Sequence, residues 1–137
     1  MRPAPNTQPP APPLRRVDLQ RLSGPAFRAF LNLARVWELS VDEQRALLGG
    51  VPRTTFQRWR RNRDARLTLD QLERVSHLLG IYKNLQILLP TTGDQWIRRP
   101  NANPIFSGHS ALALMIPGGI TWLCRIREFL GGQVSDG

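Results

Sequence analysis

The stretch ALLGGVPRTTFQRW, residues 46–59, decides how this chain is interpreted. A helix-turn-helix needs a small residue in its first helix and, four places on, a turn residue that tolerates a positive φ. Ala46 and Gly50 occupy those two positions. The apolar residues with the spacing to hold the second helix against the protein body are Val51, Phe56 and Trp59. The stretch therefore predicts a helix-turn-helix whose second helix spans residues 52–62.

The remaining face of this second helix carries basic and hydrogen-bonding side chains, which suit base edges and phosphates in a major groove. The predicted DNA-binding residues are Arg53, Thr54, Thr55, Gln57, Arg58, Arg60 and Arg61. We expect the first three to reach base edges and the last three to face phosphates. The alternative interpretation is an ordinary helical hairpin with a solvated basic face.

The distribution of charge favours the DNA-binding interpretation. The chain has 137 residues and a net charge of +9. Residues 1–66 hold 13 of the 19 basic and 5 of the 10 acidic side chains, which leaves +8 on that half and +1 on residues 67–137. A strongly basic segment attracts polyanions, whereas a nearly neutral one does not. The two halves are therefore predicted to meet different partners.

Helical signals surround the motif, and no segment shows strand alternation. Capping boxes at Ser40–Glu43 and Thr68–Gln71 predict two helix starts. Ser110 is expected to cap a short helix, Pro117-Gly118-Gly119 to break the chain, and a final helix to span about 120–130. We predict an all-α protein with a helix-turn-helix bundle followed by a small helical domain. The predicted divisions are a disordered proline-rich arm over 1–22, the helix-turn-helix over 23–66 and the helical domain over 67–137.

Enzyme chemistry has little support in the sequence. The two histidines lie in separate segments, and the single cysteine, Cys124, has no partner at metal-ligand spacing. We predict neither catalysis nor a bound metal or other cofactor. Without an apolar run of membrane-spanning length or a signal-peptide core, we expect a cytoplasmic protein.

Several stretches resemble the Xre/MbcA/ParS-type antitoxins of RES–Xre toxin–antitoxin systems. The region 39–61 looks like the Xre-type helix-turn-helix. The stretches similar to the toxin-binding domain are LGIYKNL at 79–85, WIRRPN at 96–101 and FSGHSAL at 106–112. In all, the resemblance covers about residues 25–132. Pro52 departs from it, because a serine usually caps the second helix there.

The resemblance implies a function. Antitoxins of this kind pair with a RES-domain toxin, which consumes NAD or transfers ADP-ribose, and they repress their shared operon by binding operator DNA. The residues expected to contact the toxin are Trp96, Arg98, Arg99, Asn101, Phe106, Ser110 and Asp136. The residues by themselves leave a plainer interpretation open, in which Trp96 and Phe106 are core.

Two routes to the toxin's NAD pocket are open at this point: the polar loop 98–106, and a free tail over 131–137 that carries Asp136. We also expect at least a homodimer, formed through the apolar sides of 27–37 and 69–88, because two-fold operators match two-fold proteins. The alternatives to an antitoxin are a stand-alone Xre-type regulator whose C-terminal half dimerises or senses a ligand, and a basic RNA-binding or scaffold protein.

Overall fold

A computed structural model describes residues 15–136 of the chain, and the regular secondary structure within that range is helical. The helices are α1 Arg16–Val36, α2 Val41–Leu47, α3 Arg53–Asn62, α4 Leu69–Leu88, α5 Gly93–Trp96 and α6 Ala111–Asp136, with a 3₁₀ turn at Pro104–Phe106. The described residues form no strand, and the only bridge between them joins Pro100 to Ser110. The predicted all-α class is confirmed.

Both predicted capping boxes are present. The Ser40 hydroxyl accepts from the Glu43 N–H at 3.0 Å, and the Glu43 carboxylate accepts from the Ser40 N–H at 2.8 Å. Thr68 and Gln71 make the same reciprocal pair at 3.1 and 2.9 Å. Each box satisfies two of the N–H groups that a helix start leaves without intrahelical partners. The starts of α2 and α4 are therefore determined by local sequence.

The start of α1 differs from the prediction. Residues 1–14 of the predicted arm 1–22 lie outside the described residues, but residues 16–22 are helical, and α1 continues through Pro25. A proline inside a helix removes one N–H donor, so Pro25 is a weak point of α1.

A tertiary contact explains why the helix persists. The Ser23 hydroxyl donates to the Leu19 carbonyl at 2.7 Å and accepts from the Leu67 N–H at 2.8 Å. Ser23 is fully buried, and Leu67 lies 44 residues further along the chain. Leaving the buried Leu67 N–H unpaired would cost about 1–3 kcal/mol. The contact thus stabilises α1 at the point where the sequence weakens it.

Helix α4 lies at the centre of the fold, with its largest contacts to α6 and then to α1. Helix α4 continues through Gly80, and the missing side chain at that position leaves room for α6. A Cβ at Gly80 would lie 2.4 Å from the Arg127 Nε. This absence of a side chain lets Arg127 cross α4 and lets the two helices approach closely.

Aromatic packing fixes the second helix of the motif. The Phe27 ring of α1 meets Phe56 and Trp59 of α3 edge-on, with ring centroids 5.7 Å apart in both pairs. All three side chains are buried. The prediction that Phe56 and Trp59 are core is confirmed.

Helix α6 shows the predicted break but not the predicted end. Gly119 has φ 62° and ψ −153°, a conformation that a side chain would strain, so the helix kinks there. The helix then runs to Asp136, and the free tail over 131–137 is wrong for the described residues 131–136. Gly131 and Gly132 suggested an end near Leu130, yet the apolar row continues one turn further to the half-buried Val134.

Candidate nucleic-acid interface and partner-binding loop

The turn between α2 and α3 depends on two glycines. Gly49 and Gly50 have φ of 91° and 92°, a region that side chains rarely adopt. The Gly50 N–H donates to the Arg45 carbonyl at 2.8 Å, and the Arg45 Nε donates to the Val51 carbonyl at 2.7 Å. The predicted role of Gly50 in the turn is confirmed, and Gly49 shares it. The turn directs α3 away from α2 and towards the surface.

Helix α3 presents one continuous polar face. Its inner face is fixed by the aromatic packing on α1, and the residues at i, i+3, i+4 and i+7 on the other side are all exposed. These residues are Thr54, Gln57, Arg58 and Arg61. Arg53 and Arg60 are also exposed, beside this row, whereas Thr55 is half-buried. The structure therefore brings six of the seven predicted DNA-binding side chains to the surface of one helix.

The charge of this face is only weakly neutralised. Helix α3 contains no acidic residue. Arg53 lies 3.5 Å from Asp42 and Arg58 lies 3.9 Å from Asp64, and all four side chains are at least half exposed. Exposed pairs of this kind contribute about 0–1 kcal/mol. The guanidinium groups can therefore exchange these carboxylates for phosphates at little cost.

The C-terminal half presents a loop, residues 97–110, that is closed at its base. The Asn101 N–H donates to the His109 carbonyl at 3.1 Å, and the Leu112 N–H donates to the Ile97 carbonyl at 3.0 Å. The Ser110 hydroxyl accepts from the Ala113 N–H at 3.1 Å, so its predicted capping position at the start of α6 is confirmed. These bonds give the loop a defined shape.

Phe106 supports the loop from inside. Its side chain is fully buried and meets Trp96 and Phe129 edge-on, with ring centroids 5.7 and 5.4 Å away. Trp96 is half-buried. Phe106 therefore offers no exposed surface to a partner, and it packs the loop against α6. The loop residues that remain exposed are Arg98, Arg99, Pro100, Ala102, Pro104, Ser107, Gly108 and His109.

Arg98 bonds to the helix-turn-helix rather than projecting from the loop. Its guanidinium donates to both Glu43 carboxylate oxygens, at 2.7 and 3.2 Å, and to the carbonyls of Glu38 at 2.6 Å and Trp37 at 3.3 Å. The hydrogen bond from Arg98 is the main cause that holds the pKa of Glu43 below its ordinary value, and it raises the pKa of Arg98. A partner's carboxylate would have to displace Glu43 to reach this guanidinium.

Asp136 lies at the exposed end of α6. Phe129, which packs on Phe106, precedes Asp136 by seven residues, and seven residues are close to two helical turns. The two positions therefore lie on the same side of α6. Asp136 therefore lies on the side of α6 that contacts Phe106, about 10 Å further along the axis.

Comparison with known proteins places this geometry in a family. Residues 16–80, from the start of α1 to the middle of α4, match the antitoxin Xre-like helix-turn-helix domain. The chain is also 42% identical over 109 residues to an uncharacterized protein, y4oB, of Sinorhizobium fredii (strain NBRC 101917 / NGR234); the match covers 78% of this chain and 82% of y4oB.

The chain belongs to the Xre-like antitoxins.

Membership implies an antitoxin role and a DNA-binding role, and Xre-like antitoxins are typically non-enzymatic. No solved structure matches the chain. Between residues 15 and 136 no helix is long and apolar enough to cross a membrane. The same residues hold no group of three His, Cys, Asp or Glu side chains placed to bind a metal ion.

Two exposed arginines beside α3 of this Xre-like antitoxin, Arg28 and Arg63, are not among the predicted DNA-binding residues. They line a surface groove together with Arg60 of α3. Arg28 lies on α1 and Arg63 directly follows α3, so neither belongs to the outward face predicted for the second helix. The seven-residue spacing of Arg21, Arg28 and Arg35, which places them on one face of a helix, was the sequence signal that could have indicated Arg28.

The Arg98–Glu43 pair generates a test in this Xre-like antitoxin. Arg98→Gln is expected to lower the free energy of unfolding at neutral pH by about 1–2 kcal/mol, since a partly exposed group no longer makes its charged hydrogen bonds. Urea unfolding followed by circular dichroism measures the change. Arg99→Gln is the matched control, because among residues 15–136 the Arg99 guanidinium bonds only to the nearby Gln95 side chain, at 3.1 Å.

The pH dependence of the free energy of unfolding isolates the contribution of the Glu43 charge from that of its capping hydrogen bonds. Glu43→Gln keeps a capping side chain but removes the charge. The folded pKa of Glu43 lies below its ordinary 4.5, so the stability that it contributes is complete above about that pH and is lost as the pH falls through the folded value. The difference in the free energy of unfolding between wild type and Glu43→Gln should therefore shrink as the pH falls through the folded pKa of Glu43. A constant difference down to low pH would refute the ion pair.

Proposed function

We propose that this protein is the antitoxin of a RES-domain toxin: it binds operator DNA through α3 and silences the toxin through its C-terminal half, in the cytoplasm. The observation that carries the DNA-binding part is the exposed row of Thr54, Gln57, Arg58 and Arg61, on a helix whose opposite face is locked to α1. The resemblance of 79–85, 96–101 and 106–112 to the toxin-binding domain supports the toxin part.

In this proposal α3 enters the major groove, and its N-terminal residues read base edges. Arg53 begins the helix and Thr54 follows it, so both lie at the end that recognition helices direct at the bases. Arginine can bond two acceptors of guanine at once. Arg58, Arg60 and Arg61 then face the backbone. The half-buried Thr55 is the least accessible of the proposed contacts.

The first test concerns this helix. Arg53→Ala with Arg58→Ala is expected to weaken binding to the DNA upstream of the protein's own operon, by about 1–3 kcal/mol for the base contact. Arg61→Ala should weaken all duplexes alike and flatten the salt dependence. Electrophoretic shifts measure both effects. Arg99→Ala with Arg125→Ala, which removes the same charge from positions outside α3, is the control. Unchanged shifts for the first pair would reject the assignment.

Self-association is part of the proposal, because one small helix-turn-helix contacts too little DNA for tight specific binding. An apolar groove of about 230 Å³ lies between α1 and α4, on the elements expected to form the dimer. It is lined by Ala29, Asn32, Leu33, Val36, Leu79 and Tyr82. A second copy that covers this groove would form a dimer whose two α3 helices are related by a two-fold axis.

The test of the dimer is sedimentation. The wild type should sediment as about twice the 15.5 kDa chain mass at tens of micromolar. Tyr82→Arg should shift it to monomer by placing a charge in the apolar contact, whereas Lys83→Arg, at the exposed neighbouring position, should not. A wild type that stays monomeric at that concentration would contradict the proposed dimer.

The proposed toxin contact combines the exposed loop with the end of α6. The near neutrality of residues 67–137 favours a protein partner over DNA. Arg99 is exposed and Asn101 half-buried, while Phe106 holds the loop in place. The flexible-tail route is replaced by a helical one, since Asp136 is presented by α6 and not by a free tail. Arg99 would pair with an acidic rim, and Asp136 would meet donors in the NAD pocket.

Growth rescue separates these two routes. The full chain is co-expressed with the RES-domain protein encoded beside it, and compared with Arg99→Ala and with a chain that lacks residues 135–137 but keeps Val134. Removal of one partner from a desolvated interface pair typically costs about 2–5 kcal/mol. Failure of Arg99→Ala alone would favour the loop, and failure of the shortened chain alone would favour α6.

Two results would contradict the toxin proposal. The first is a wild-type chain that binds the operator but neither binds nor neutralises the neighbouring protein, which would favour the stand-alone regulator. The second is a neighbouring reading frame that encodes no RES domain. Arg66→Gln, at an exposed position outside the loop, the end of α6 and the stretch 79–85, is the control for general effects on expression and should rescue fully.

A further inference from the structure

A surface groove of about 380 Å³ lies between α1 and α3. Three arginines line it: Arg28 from α1, Arg60 from α3 and Arg63 from the segment after α3. Phe27 and Trp59 form part of its wall and are themselves almost fully buried. Because low-dielectric walls focus the field of nearby charges, these guanidinium groups attract anions more strongly than isolated surface arginines would.

The positive charge of this groove is not neutralised within the described part of the protein. None of its three arginines lies within 4.0 Å of a carboxylate there, whereas Arg45, Arg53, Arg58, Arg74 and Arg98 all do. The pattern extends along α1, where Arg21, Arg28 and Arg35 recur every seven residues and are all exposed. Seven residues correspond to about 10 Å of helix, so the row spans about 20 Å.

The backbone at Arg63 adds a second observation. Arg63 closes α3 in the left-handed conformation, with φ 55°. Glycine usually fills this position, and a residue with a side chain costs about 1–2 kcal/mol more there. The protein thus places an arginine where local stability favours glycine. A strained residue beside a binding surface suggests that its side chain has a use.

We propose that the α1–α3 groove holds backbone phosphates of the DNA duplex that flank the major groove entered by α3. This inference rests on the proposed DNA-binding function and extends it to residues outside α3. Arg60 and Arg61 are adjacent on α3, so the groove adjoins the outward face. A row of arginines about 20 Å long suits an extended polyanion better than a single free phosphate.

The experiment measures salt dependence on a mixed-sequence duplex of about two helical turns, so that no operator needs to be known. Fluorescence anisotropy gives the dissociation constant from about 50 to 200 mM KCl. A plot of log affinity against log salt has a negative slope. Arg28→Gln with Arg63→Gln should reduce the magnitude of this slope by about 0.9 for each phosphate that the protein no longer neutralises. Lys83→Gln with Arg125→Gln removes the same charge from positions outside the groove, and should leave the slope near that of wild type.

A second variant guards against a folding defect. Arg63→Gly removes the guanidinium and places a glycine in the left-handed conformation that glycine tolerates. This variant should fold at least as stably as wild type and still reduce the magnitude of the slope. Equal slopes for the groove variants and the control pair, with binding still weakened by Arg53→Ala and Arg58→Ala, would overturn the groove proposal alone. A wild type that binds no duplex would overturn the proposed DNA-binding function as well.

Discussion

One guanidinium group joins the loop of the C-terminal half to the helix-turn-helix. Arg98 bonds to Glu43 and to the carbonyls of Trp37 and Glu38 just after α1, and Glu43 is also part of the capping box at the start of α2. The same carboxylate therefore defines a helix end locally and receives the loop from 55 residues away. The orientation of α2 relative to the loop depends on this shared acceptor, and the turn to α3 follows from the orientation of α2.

The two proposed binding surfaces accordingly belong to one packed body. Helix α4 packs against both α1 and α6, and the match to the Xre-like domain ends at Gly80, in the middle of that helix. Arg74 of α4 bonds to Asp70 at 2.8 Å and lies beside two positive-φ glycines, Gly49 in the turn and Gly119 in the kink of α6. The boundary at residues 66–67 separates a strongly basic half from a nearly neutral one. The helices on its two sides nevertheless pack against each other, since α4 contacts α1.

The surface divides into a basic region on α1 and α3 and a region of polar and small residues on the loop 97–110. The basic side chains gather on α3 and on the exposed side of α1. Among the described residues, the carboxylates nearest to the arginines of α3 lie 3.5 Å and 3.9 Å away. The loop 97–110 carries exposed polar and small residues over a fully buried Phe106. Polyanion binding and protein binding are therefore compatible on one small protein, because each surface rests on a different part of the same core.

Local features were readable from the sequence because their causes lie within a few residues. The capping boxes at 40–43 and 68–71, the glycine turn at 49–50 and the break at 117–119 each depend on side-chain chemistry or backbone freedom at that place. The core positions of Phe56 and Trp59 followed from helical spacing. The six exposed side chains predicted to bind DNA followed from the same spacing on the opposite face.

Other features were decided by contacts between distant residues. Helix α1 continues through Pro25 because Ser23 reaches Leu67, and α6 continues past Gly131 with the half-buried Val134. Arg98 is occupied by Glu43, and Arg28 and Arg63 meet Arg60 only once α1 packs on α3. Sequence periodicity describes one helix at a time. Which side chains share a groove or a carboxylate depends on how the helices pack, and only the tertiary structure decided that.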